Sequence, residues 1–138
     1  MANADFTVEN PLEELLVKAQ RRLIPMRDLL VALMQADVFI PTASEVRPDS
    51  EGFAPMLFNR NGEALMAVFS ATDRIKRYSP QFSYCLAMNG AKLVHWIPVQ
   101  YGIVVNPGYQ VGLEIPATGV KQIRQDFPLT PPRTGLAG

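Results

Sequence analysis

The sequence predicts an α+β domain: a mixed β-sheet of about five to six strands, with N-terminal helices and short helices packed on it. Three observations lead there. A capped amphipathic stretch begins at Asn10, two apolar runs meet at Asn61-Gly62 as a hairpin, and helical and strand-like segments follow without strict βα alternation. At 138 residues, 48% apolar and 19% charged, the chain is the size of one domain with ample core material.

Each element follows from local chemistry. Asn10 caps a helix, Pro11 fits its first turn, and Glu13 stands three residues past the cap. Leu12, Leu15, Leu16, Ala19 and Leu23 mark its core face, with Glu13, Glu14, Lys18, Arg21 and Arg22 on the wet side. Pro25 interrupts this helix and, as a first-turn residue, opens a second with Leu29, Leu30, Leu33 and Met34 inward. "DVFIPTA", Asp37 to Ala43, reads as an edge strand, because Pro41 cannot donate to a ladder. Ser44 to Phe53 reads as an exposed loop, and Pro55 to Phe69 as a β-hairpin turning at Asn61-Gly62.

Thr72 or Asp73 caps a short helix, Arg74 to Tyr78, and Gln81 to Met88 forms another strand. Asn89-Gly90 turns the chain into a short helix containing Leu93, Val94 and Ile97, which ends before Pro98. Strands Tyr101 to Val105 and Gln110 to Ile115 are joined through Asn106-Pro107-Gly108-Tyr109. There Pro107 presets φ at the second position of a type II turn and Gly108 permits positive φ at the third. Thr118 caps a last helix with Val120, Ile123 and Phe127 at helical spacing. The predicted order is ααβ(loop)ββαβαββα. Residues 1–9 and 128–138 are expected to be flexible, flanking a domain over 10–127.

Composition narrows the function. Lys plus Arg and Asp plus Glu each number 13, so no net field draws the chain to nucleic acid or an anionic membrane. A single cysteine, Cys85, allows neither an internal disulfide nor a Cys-rich metal cluster, and fits a reducing cytoplasm. "MANADFTVEN" lacks the layout of a secretory signal, and no apolar run approaches the roughly 20 residues that cross a bilayer.

Candidate chemical groups are few. Cys85, between Tyr84 and Leu86 in an apolar strand, reads as a buried, inert thiol. His95 is the only histidine, so a Cys-His couple with Cys85, assisted by a carboxylate such as Asp73, depends wholly on tertiary geometry. Arg74, Lys76, Arg77 and Tyr78 could hold an anion but read better as a solvated face. Pro128, Pro131 and Arg133 match PxxPxR in a tail that reads as a linker. No metal ligands, cofactor motif or catalytic residues are assigned.

In sequence the chain resembles the N-terminal domain of the SseB family, the bacterial "enhanced serine sensitivity" proteins. The resemblance rests on "NPLEELLVKAQ", "LMQADVFIPTA", "GEALMAVFSATDRI" and "GIVVNPG" followed by "VGLEIPATGV", from about Asn10 to Phe127. It implies an α+β domain of a cytoplasmic bacterial protein with no established enzymatic activity, and supplies no catalytic residues.

Three functions are therefore in play. The first is a non-catalytic binding or regulatory module for a protein partner or small ligand. Its contact surface is expected at Asn106, Pro107, Gly108 and Tyr109, at Ser70, Thr72 and Arg74, and at Trp96. The second is a small enzyme using Cys85 and His95. The third is a homodimer built on an unpaired strand edge such as Asp37 to Ala43.

Overall fold

A computed structural model describes residues 7–45, 52–78 and 80–128 of the chain. Asn10 caps α1 (Pro11–Gln20) by accepting the Glu13 N–H on Oδ1 at 2.9 Å, with Pro11 in the first turn. Pro25 then stands at the N-cap of α2 (Met26–Gln35), whose Leu29, Leu33 and Met34 are buried. The remaining elements are β1 (Asp37–Thr42), β2 (Leu57–Arg60), β3 (Glu63–Val68), a 3₁₀ helix (Thr72–Tyr78), β4 (Tyr84–Asn89), α3 (Gly90–Trp96), β5 (Gly102–Val105), β6 (Leu113–Ile115) and α4 (Ala117–Asp126). The order of elements is the predicted one.

Among the described residues, six strands form two sheets and not one. Antiparallel β1–β4 makes the smaller; the larger runs β2–β3–β5–β6, with β3 and β5 parallel. Isolated bridges tie β1 to the ends of the hairpin arms: Phe39 and Phe69 exchange N–H to O bonds of 2.9 and 2.8 Å, and Thr42 bridges to Pro55. The separation has a simple cause. β2 occupies the flank of β3 from Glu63 to Met66, so β1 reaches it only past the end of that strand. Asn61 (φ 55°) and Gly62 (φ 87°) turn the β2–β3 hairpin with both central residues at positive φ, as its dipeptide predicts.

β1 is not an edge, contrary to the reading of Pro41. Phe39 and Ala43 donate their N–H groups to Phe69 and Ala54, away from β4. Pro41 has the same phase, so its missing donor falls in the gap between those two bonds and costs the β1–β4 ladder nothing. β4 is the edge.

Other boundaries shift for local reasons. Gln81 to Ser83 turn before β4 begins, with Ser83 Oγ donating to Pro80 O. Asn89 caps α3 by accepting the Ala91 N–H at 3.0 Å. Gly90 allows α3 to start against the Leu33 carbonyl of α2, where a Cβ would collide. Thr118 does not cap α4; it lies inside the first turn, because Glu63 Oε2 reaches across from β3 to accept the Ala117 N–H.

The two central strands of the larger sheet, β3 and β5, are apolar on both faces. Met66, Val68, Ile103 and Val105 pack under the helices with Leu16, Leu29, Leu93 and Val120. Leu65, Ala67 and Val104 point the other way, into a smaller cluster with Met56, Phe69 and Ile75. Burial on both sides explains why "ALMAV" and "GIVV" are continuous apolar runs. Residues 1–6, 46–51 and 129–138, which include most of the polar loop and Pro131 and Arg133 of the PxxPxR match, lie outside the described residues. Among those described, no helix is long and apolar enough to cross a membrane.

Candidate functional site

Two of the three predicted contact segments meet in space. The link is Glu13, which the helical pattern places on the wet side of α1 but which is fully buried. Its Oε2 accepts the Ser70 hydroxyl at 2.5 Å and Arg74 Nε at 3.0 Å, while Oε1 accepts Arg74 Nη2 at 2.7 Å and the Glu9 N–H at 2.9 Å. Glu13 thus satisfies the donor one residue ahead of the one a capping box would use. Burial pushes its carboxyl pKa up, but the hydrogen bonds from Arg74, Ser70 and Glu9 outweigh it and hold the group below the ordinary carboxylate value.

From Ser70 the chain of bonds continues into the turn. Asn106 Oδ1 accepts the Ser70 N–H at 3.0 Å and its Nδ2 donates to Ser70 Oγ at 2.9 Å. Asn10 Nδ2 donates to Ser70 O at 2.9 Å, so one serine ties α1, the end of β3 and the turn together. Asn106 is buried and itself adopts φ 56°, a conformation asparagine tolerates better than most residues. Its Nδ2 is spent on Ser70 Oγ and Val111 O.

The turn itself is as predicted. Tyr109 N–H donates to Asn106 O at 3.2 Å and Gly108 has φ 86°. It lies within a longer loop, 106–112, so β6 starts only at Leu113. The 3₁₀ helix holds it from outside: Tyr78 OH donates to Pro107 O at 2.8 Å, Arg77 Nη1 donates to Gly108 O, and Tyr109 OH donates to Arg74 O at 2.8 Å. Arg77 also stacks 4.2 Å from the Tyr109 ring centroid. The basic cluster around Arg74 is therefore largely structural: Arg74 is buried against Glu13, Arg77 grips the turn from an exposed position, and Lys76 stands in solvent beside Asp73.

Beside this assembly, on the face of the larger sheet away from the helices, lies a groove of about 500 Å³. Leu65 and Val104 form its floor, Phe58 one wall and the loop 106–112 the other. Arg60 and Glu114, an exposed ion pair between the two edge strands, close one end. A second groove of about 550 Å³, between α1, α2 and β1, backs onto the same polar cluster through Asn10 and Ser70.

The other candidates stand apart. Thr72 is exposed at the start of the 3₁₀ helix. Trp96 packs edge-on against Phe53 with centroids 4.9 Å apart, a core-margin role and not part of the groove. Cys85 is exposed on β4 and not buried, because β4 is an edge strand; desolvation still raises its pKa. His95 Nε2 lies 2.8 Å from the Phe127 carbonyl at the end of α4. Among the described residues, no three His, Cys, Asp or Glu side chains converge as a metal site, and no buried side-chain polar atom lacks a partner.

The burial of Glu13 had one legible signal. On a helical wheel it falls about 60° from Leu16, at the margin of the apolar stripe, where an acid must be either wet or paired. The identity of its partner, Arg74, had none.

The profile of the SseB protein N-terminal domain matches residues 12–122, most of the chain and both arms of the polar cluster. No curated protein and no solved structure matches it.

Proposed function

Because this chain belongs to the SseB N-terminal domain family, to which the resemblance attaches a fold and no reaction, we propose that it is a non-catalytic binding module. Its contact surface is the groove walled by Phe58 and the loop 106–112. The observation that carries this reading is the economy of the polar cluster. Glu13 bonds both Arg74 and Ser70, and Ser70 bonds Asn106, so all four side chains are engaged within one chain of bonds that braces the wall of an apolar-floored cleft and offers no free acid, base or nucleophile. The balanced charge favours a protein segment or small molecule over nucleic acid, and the cytoplasm of a bacterium is the proposed location.

An enzyme built on Cys85 and His95 is less well supported. A thiol with a raised pKa is poorly ionised at neutral pH, and the histidine nitrogen Nε2 is engaged by Phe127.

Amide chemical-shift mapping tests the proposal, with free amino acids, nucleotides and short unstructured peptides as probes. Shifts concentrated at Phe58, Leu65, Val104 and Gly112, and lost in Phe58→Asp, are the expected result. Binding that maps away from the groove, or no shift with any of the probes, rejects it.

A further inference from the structure

β4 reads Tyr84-Cys85-Leu86-Ala87-Met88-Asn89, six residues without charge, proline or glycine. Since Phe39 bonds Phe69 on the far side of β1, it is Val38, Ile40 and Thr42 that bond β4, and their register partners Met88, Leu86 and Tyr84 turn their backbone groups inward. Cys85 and Ala87 turn theirs outward, and among the described residues no backbone partner meets them. Asn89 shares that phase, but it is the N-cap of α3, where the chain leaves the sheet.

The other sheet edges are guarded. β6 has three residues and carries Glu114; β2 has four and ends at Arg60, which is tied to Glu114. β4 is the longest edge and lacks each of these protections.

We propose that a second copy of this chain pairs with that edge, β4 against the partner's β4, antiparallel, with Leu86 opposite the partner's Leu86. The sequence of the strand is what selects a copy over a foreign strand. Read outward from Leu86 it is symmetric in size: Cys85 and Ala87 are small, Tyr84 and Met88 are large. An antiparallel copy therefore sets Cys85 against the partner's Ala87 and Tyr84 against the partner's Met88, which matches side chains on both faces. The same register brings the outward N–H and C=O groups of Cys85 and Ala87 onto those of the copy, four bonds in all. Leu86 faces its own copy at the two-fold axis, and a strand without charge brings no like charges together across the pair. On the helix side, Tyr84, half exposed, would be covered by the same layer that already contains Met88 and Leu86. This inference is independent of the groove, which lies on the other sheet.

Sedimentation velocity and amide hydrogen exchange, both as a function of concentration, test it on the intact chain. The expected result is a species of twice 15.3 kDa. Exchange at the Cys85 amide should slow about tenfold or more as it forms, with the Asn59 amide on the β2 edge unchanged. Ala87→Lys, on an exposed position facing away from the helical core, should return the 15.3 kDa species and fast Cys85 exchange while retaining the fold by circular dichroism. A wild-type chain that stays at 15.3 kDa up to millimolar concentration overturns the proposal. So does a dimer that survives Ala87→Lys, or one whose formation leaves Cys85 exchange unchanged.

Discussion

Arg74 and Glu13, 61 residues apart in the chain, meet side by side inside the protein, the guanidinium donating through Nε and Nη2 to both carboxylate oxygens. That contact carries the position of Ser70, and Ser70 carries Asn106, so the loop that walls the groove is ultimately anchored on the first turn of α1.

Removing one charge of a buried pair leaves the other without compensation. Glu13→Gln is expected to destabilise the fold by roughly 3 kcal/mol, the lower end for such pairs, since Glu9 stands 3.6 Å from Arg74 and remains. The apolar double variant Glu13→Leu/Arg74→Met should cost less than Glu13→Leu alone. Urea unfolding of the three variants measures this, and a Glu13→Gln midpoint equal to wild type would show the pair to be dispensable.

The same carboxylate sets an acid limit. Its folded pKa lies below its ordinary value of 4.5, so the unfolded chain binds the proton more readily. The stability Glu13 contributes is complete above that ordinary value and is lost as pH falls below it, through the folded pKa. Wild type should therefore lose stability more steeply than Glu13→Gln in the acid range beneath pH 4.5, measured as urea midpoints.

Gly108 and Gly62 both have positive φ, 86° and 87°, yet their surroundings differ. A Cβ at Gly62 meets nothing within 4 Å, whereas at Gly108 it would strike the Tyr78 hydroxyl and crowd Arg77. Gly62→Ala should cost about 1 kcal/mol, from backbone strain alone. Gly108→Val should cost more than that by thermal denaturation and should lower binding only to the extent that it unfolds the loop. Equal losses at the two sites would remove the clash from the account.

Cys85 is accessible but poorly ionised. Its reaction with a disulfide reagent at pH 7.5 should be slower than that of a free cysteine peptide and should rise with pH beyond the range where the peptide levels off. A rate exceeding the peptide's at neutral pH would reopen a nucleophilic role.

Much of the architecture was legible because it is written in neighbours. Asn10 and Pro11 start a helix with their own side chain and ring; Asn61-Gly62 and Pro107-Gly108 choose their turns through their own φ angles. The apolar period then separates helix from strand, so the order of all the elements follows from windows of a few residues. Misreadings arose where a residue's partner lies far along the chain. Pro41 looks like an edge signal until Phe69 and Ala54 show which side of β1 it faces, and Thr118 looks like a cap until Glu63 arrives from β3 to take that place.

The candidate site divides in the same way. Sequence alone determined that Asn106 to Tyr109 is a turn and that Ser70 to Arg74 begins another, since those are local conformational preferences. Only the tertiary structure decided that the two share one buried cluster with Glu13 and flank a groove. An acid three residues after a helix cap can stay in water or go inside, and the choice depends on whether the fold delivers a guanidinium, here Arg74, close enough to repay the lost hydration.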